Sequence, residues 1–201
     1  MNQQQYKLGW QIACWSTLAI AVCQLLFIAT NVFGIISAIA VGAVGYGFYT
    51  AATELEKSGN AAATEMKASA TTLFMVAAIN IIGMIIGVAV KPSSASGFSF
   101  ALVFAALLCI AAAVLIIMFR NKITLALRHL NLENGLFGAG ILVYAIGSIV
   151  AAFGIFIFAV APSLSTLRSM GVLAIIGGIA AVVGAILWII GMFQLTEKVT
   201  K

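Results

Sequence analysis

Residues 170–194 read MGVLAIIGGIAAVVGAILWIIGMFQ, a run without a single charged side chain. A helix of roughly 20 apolar residues crosses the hydrocarbon core of a bilayer. The run is continuously apolar, whereas a strand of a membrane barrel alternates apolar and polar residues. Helices and closed barrels are the forms that satisfy the backbone in lipid, so this run predicts a transmembrane helix.

The composition of the whole chain agrees with this interpretation. Apolar residues make up 64% of the 201 residues, charged residues make up 7%, and the mean hydropathy is +1.20. Soluble domains carry about 25% charged residues, and a chain of 20.9 kDa could not bury so much apolar surface inside itself. The composition therefore excludes a soluble enzyme, a nucleic-acid-binding domain, a disordered chain and a disulfide-stapled module. The expected partner is the lipid bilayer.

The sequence predicts an all-α, polytopic bundle of six transmembrane helices, arranged as three hairpins in one domain over residues 1–201. We read the first of the six runs as a retained helix rather than a signal peptide, since no cleavage site follows it. The six runs cover residues 8–29, 32–53, 71–90, 98–119, 136–161 and 170–194.

The basic residues predict the orientation. Six crossings place eight of the ten on the side of the chain termini and leave Lys91 and Arg168 on the other side. The eight are Lys7, Lys57, Lys67, Arg120, Lys122, Arg128, Lys198 and Lys201. Because cytoplasmic loops carry the excess of Lys and Arg, both termini are predicted to be cytoplasmic. We expect the plasma (inner) membrane of a prokaryote, and the net charge of +5 requires no nucleic-acid partner.

Residues 121–133, NKITLALRHLNLE, form the one amphipathic segment. Ile123, Leu127 and Leu130 share a helical face, and polar residues point elsewhere. This pattern predicts an interfacial helix that lies in the headgroup region. A docking surface for a cytoplasmic partner is the alternative.

Small residues recur along four spans at spacings that are typical of helix packing, and the second span carries the row Gly34, Ala38, Gly42 and Gly45. The glycines of the other three spans are the candidate packing residues. They are Gly140, Gly147 and Gly154 in the fifth span, Gly177, Gly184 and Gly191 in the sixth, and Gly83 and Gly87 in the third. A seven-residue repeat keeps one face against a neighbour in a left-handed crossing, and small residues permit close approach of two backbones. The repeats predict packing within the chain, with a homo-oligomer or a contact with other membrane subunits as the alternative.

Polar residues inside the predicted spans are few. Thr17, Gln24 and Asn31 lie on one face of the first span, and Asn80 lies in the third. Amides in lipid typically form hydrogen bonds between helices. The alternative interpretation is a polar lining for a narrow conduction path.

The residues that catalysis requires are missing from the predicted spans. The chain has no Asp, one His (His129) and three Cys, and all five Glu lie outside the predicted spans. No metal-ligand spacing, haem-ligand pair or activated nucleophile is recognisable, so we expect no enzyme and no cofactor. The sequence favours a non-catalytic structural, accessory or assembly subunit. A passive channel or facilitator lined by Gln24 and Asn80, and an enzyme completed by another chain, remain alternatives.

Overall fold

A computed structural model describes the backbone of residues 1–26, 32–89 and 95–201, and the side chains of residues 1–23, 35–86 and 99–201. The described residues form six helices. They are α1 (Gln3–Leu26), α2 (Val32–Lys57), α3 (Ala62–Ala89), α4 (Ala95–His129), α5 (Gly135–Val160) and α6 (Leu164–Thr200). The predicted all-helical class is confirmed.

Five of the helices are long and apolar enough to cross a membrane. These candidate spans are Ile35–Lys57, Ala62–Ile86, Ser99–His129, Gly135–Val160 and Leu164–Thr200. Within its described residues, α1 does not reach the same hydropathy, because Lys7 and Gln11 lie in its first half. The chain therefore has the character of an integral membrane protein with several spanning helices.

The six helices form a closed ring. Each helix packs on its neighbours in the chain, and α1 packs on α6 to close the circle. Because α2 also packs on α3 and α4 on α5, the described residues form a continuous ring rather than three separable hairpins. The predicted hairpin arrangement is thus not confirmed.

Aromatic side chains fill the middle of this ring. Trp10 of α1, Phe48 of α2, Phe119 of α4 and Trp188 of α6 are all buried. Their ring centroids follow one another at 5.5, 5.8 and 6.0 Å. Since α2, α4 and α6 do not pack directly on one another within the described residues, these rings meet inside the bundle. These large side chains fill the space that an aqueous channel through the ring would need to leave open.

Several helices extend past their predicted spans at the end where the chain termini lie. The helix α6 has 37 residues, and at about 1.5 Å per residue it exceeds the roughly 30 Å of a hydrocarbon core. The core continues into this extension, where Leu55, Met66 and Leu195 are buried. The extension therefore forms a packed cap on the spanning part.

The amphipathic segment 121–133 is not a separate helix. Its first nine residues are the last turns of α4, which continues without a break to His129. Ile123 and Leu127 are buried in the bundle core, so the apolar face packs on protein rather than resting free in the headgroup region. Asn131 ends α4 in the left-handed conformation (φ 54°), which asparagine tolerates better than most residues. Asn134 then caps α5 by accepting a hydrogen bond from the backbone of Phe137.

Candidate functional site

The glycines of α5 and α6 form one continuous seam, here called the α5–α6 seam. A Cβ at Gly147 would lie 2.6 Å from the carbonyl oxygen of Gly177, and a Cβ at Gly177 would lie 2.5 Å from that of Gly147. Gly140 meets the backbone of Gly184 in the same way. The seam continues where Gly191 meets Phe137 and where Gly154 meets Met170 and Leu173. All six predicted glycines of these helices thus lie at one internal contact.

A second seam of the same kind joins α1 and α2, and sequence reasoning missed it. A Cβ at Gly9 would lie 2.6 Å from the carbonyl oxygen of Gly47, and one at Gly47 would lie 2.7 Å from the backbone nitrogen of Ala13. Ala51 completes this α1–α2 seam. The available signal was a Gly-x-x-x-Ala pair in each helix, Gly9 with Ala13 and Gly47 with Ala51.

The predicted packing glycines of the third span, Gly83 and Gly87, are not part of either seam in the described residues. A Cβ at Gly83 would lie 3.2 Å from Cδ1 of Leu108, the far end of a flexible side chain on α4. Gly83 therefore contacts a side chain and not a neighbouring backbone. The surroundings of Gly87 lie outside the described residues.

The predicted polar lining is only partly within the described residues. Thr17 is buried, and its hydroxyl donates to the carbonyl oxygen of Ala13 at 2.8 Å. The hydroxyl thus finds its hydrogen-bond acceptor within its own helix. Asn80 is half-buried on α3, which does not pack on α1 within the described residues. The structure does not bring Asn80 beside Thr17. The side chain of Gln24 and the whole of Asn31 lie outside the described residues.

A small cavity lies beside the aromatic centre, between α1, α5 and α6. Its volume is about 10 Å³, and its lining includes Thr17, Tyr144 and Trp188. A cavity of this size holds at most about one water molecule, so it is no conduit for a larger solute. The buried indole Nε1 of Trp188 has no hydrogen-bond partner among the described residues.

Polar contacts tie the termini into the packed cap. The Nζ of Lys7 donates to the carbonyl oxygen of Thr200 at 2.7 Å, so the N-terminal turn of α1 lies beside the C-terminal turn of α6. The backbone nitrogen of Asn2 donates to the buried carboxylate of Glu54, which also pairs with Lys57. Burial raises the pKa of Tyr6 above its usual value by removing its phenol from water. These contacts place both termini at the same end of the bundle.

A larger groove opens between α1 and α6 at this end, with a volume of about 660 Å³. It is called the α1–α6 groove below. Its apolar walls include Trp15 and Phe193, whose rings meet edge to face at a centroid distance of 5.9 Å. Its lining residues are Gln11, Cys14 and Trp15 of α1, with Ile189, Ile190, Phe193, Gln194, Thr196, Glu197 and Thr200 of α6.

Groups for metal or thiol chemistry do not converge in the part of the chain that the structure describes. There, no three His, Cys, Asp or Glu side chains come close enough to hold a metal ion. Cys14 and Cys23 are buried, Cys109 is exposed, and all three are free thiols. The described residues offer packing surfaces and the groove between α1 and α6.

Comparison with known proteins gives no relative from which a function could be transferred. The chain matches no protein-family model, no curated protein and no solved structure.

Proposed function

We propose that the chain is a non-catalytic multi-pass membrane protein that acts as a structural or assembly subunit. It associates with itself or with another membrane protein through the outer face of its bundle. In this proposal α1 is the sixth span, because it is paired with α2 along the α1–α2 seam. Both termini face the cytoplasm, and the membrane is the inner membrane of a prokaryote.

One observation supports the proposal: α6 has glycines on two different faces, one that packs on α5 and one that is open. Gly177 and Gly184 pack against the α5 backbone, whereas a Cβ at Gly171 or Gly178 would meet nothing within 4 Å. The exposed neighbours of Gly178 include Ile175 and Ile179. In lipid, close packing of small residues is a principal source of helix association, so this open face suits a partner helix.

The interior of the bundle supports the same proposal. Trp10, Phe48, Phe119 and Trp188 occupy the middle of the ring, where a conducting path would run. The passive-channel alternative needs Gln24 and Asn80 to line such a path, and we do not propose it. A partner chain would therefore contact the outer surface of the bundle.

Cysteine cross-linking in native membranes tests the proposal. In a cysteine-free background, Ile179→Cys places a thiol on the open face of α6, and Phe153→Cys places one on the exposed outer side of α5. We expect oxidation to join Ile179→Cys chains to each other or to a second protein of defined mass, and Phe153→Cys chains to remain unjoined. Equal or absent cross-linking at both positions would contradict assembly through α6.

A further inference from the structure

The α1–α6 groove is open to its surroundings and is comparable in volume to a small-molecule site. Its volume of about 660 Å³ lies within the range of about 300–1,000 Å³ that small-molecule sites occupy. It lies at the junction that closes the ring, where α1 meets α6. The groove is therefore a place where a bound molecule would contact both helices at once.

The lining changes from apolar to polar along the groove. On α6, Ile189 and Ile190 come first, and Glu197 and Thr200 follow toward the C-terminus. The predicted sixth span ends at residue 194, so the groove crosses the boundary between hydrocarbon and headgroups. A membrane lipid has the same order of apolar and polar parts along its length.

Two aromatic rings stand beside the polar end. Trp15 is 63% exposed and Phe193 is 40% exposed, and their planes meet at 85°. Aromatic faces attract cations within about 6 Å of the ring centroid, Trp most strongly. An exposed edge-to-face pair therefore offers ring surface to a positively charged group.

A carboxylate and two amides lie at the same end. Glu197 pairs with Lys201, the last residue of the chain, and both side chains remain well exposed. Gln11 and Gln194 add amide groups that can donate to a phosphate oxygen. Glu197, Gln11 and Gln194 line the same groove as the two rings. A lipid ammonium would take the place of the Lys201 ammonium at Glu197, and the amides would donate to its phosphate.

We propose that the α1–α6 groove binds one phospholipid from the leaflet on the side of the termini, with a primary ammonium in its headgroup. The ammonium lies against Glu197 and the Trp15 and Phe193 rings, and an acyl chain follows Ile189 and Ile190. The bilayer is the source because exposed apolar side chains continue along α1 and α6 away from the termini, as at Val22 and Ile186. The bound lipid would stabilise the closure of the ring.

Native mass spectrometry of the full chain in mild detergent tests the proposal, with phosphatidylethanolamine, phosphatidylglycerol of the same acyl chains and a long-chain alkylamine as probes. We expect one bound phosphatidylethanolamine per chain, favoured about fivefold over phosphatidylglycerol, the ratio that one cation–π contact gives. Trp15→Ala and Glu197→Gln should each remove this preference. Unchanged circular dichroism would show that both variants keep their helices.

Matched variants separate the groove from the rest of the surface. Phe153→Ala removes an exposed aromatic ring from α5, and Glu133→Gln removes an exposed carboxylate that pairs with Arg128. Both should bind lipid as the unaltered chain does. Equal binding of the two phospholipids, a preference that survives both groove variants, or alkylamine binding as tight as phosphatidylethanolamine would each overturn the proposal.

Discussion

Gly147 and Gly177 face each other across the α5–α6 seam so closely that neither position has room for a Cβ. A Cβ at either residue would come within 2.6 Å of the other's carbonyl oxygen. Gly9 and Gly47 repeat this relationship across the α1–α2 seam. Because α1 also packs on α6, the two seams flank the junction that closes the ring. Four of the six helices are thus held by close backbone contact.

The adjacent residues Gly177 and Gly178 give the sharpest test of the α5–α6 seam. Gly177→Ala should destabilise the protein by about 1–3 kcal/mol, because its new methyl group meets backbone atoms of α5 that cannot move aside. Gly178→Ala adds the same group in open space and should be neutral or slightly stabilising, since alanine favours helix. Thermal unfolding in detergent measures both. Equal loss of stability in the two variants would contradict the seam.

The α1–α2 seam makes a parallel prediction. Gly47→Ala should lower the unfolding temperature, because the added Cβ would lie 2.5 Å from the carbonyl oxygen of Gly9. Gly171→Ala, on the open side of α6, is the matched control. If Gly47→Ala unfolds at the temperature of the control, α1 does not pack as described.

The aromatic centre can be tested by truncation. Phe119 is fully buried between Phe48 and Trp188, so Phe119→Ala should cost about 3–5 kcal/mol through lost contacts and a cavity. Phe100, also on α4, is 70% exposed, and Phe100→Ala should change stability little. Chemical unfolding of both variants gives the comparison. A small loss for Phe119→Ala would mean that the rings do not fill the interior.

The hydrogen bond from Lys7 to the carbonyl oxygen of Thr200 should stabilise the packing of α1 on the C-terminal turn of α6. Lys7→Met removes a charge-assisted hydrogen bond to the C-terminal turn of α6 and should cost about 1 kcal/mol. It should also speed amide exchange in that turn. Lys198→Met, at the same end of α6, is the control for loss of charge. Identical amide exchange in the two variants would show that the hydrogen bond between Lys7 and Thr200 does not form in solution.

Orientation is testable by labelling intact cells. In a cysteine-free background, Ser165→Cys lies in the first turn of α6 and Ser58→Cys on the turn after α2, and both positions are exposed. We expect an impermeant thiol reagent to label residue 165 from outside and residue 58 only after the membrane is opened. The opposite pattern would reverse the proposed topology.

Length and hydropathy were sufficient to predict an all-helical chain with several spanning helices, because the lipid requirement acts on each run separately. They did not predict how far α4 and α6 extend beyond their apolar runs, since the packing of the cap decides this. The spacing of Gly140, Gly147 and Gly154 likewise marked a face, since a seven-residue repeat is a property of one helix. The closure of α1 on α6 could not be predicted in this way, because it joins Lys7 to Thr200 across nearly the whole chain.

The location of segment 121–133 could not be predicted, because its sequence pattern fits two environments. Its amphipathic pattern is compatible with a membrane surface or with a protein core, and only tertiary packing decides between them. Ile123 and Leu127 pack into the cap formed by the extended helices. The contact of Gly9 with Gly47 was missed because Gly9 is the single glycine of α1, so its Gly-x-x-x-Ala pair is not part of a seven-residue repeat.

The proposed assembly is tested most directly by the mass of the particle that the chain forms in native lipid. Nanodiscs extracted from the membrane without detergent should contain the 20.9 kDa chain in a complex with at least one further protein chain, identical or different, when analysed by native mass spectrometry. Gly178→Leu should release the chain from that complex while its helices and its unfolding temperature stay unchanged. A single chain that carries only lipid, in the unaltered protein, would contradict the account.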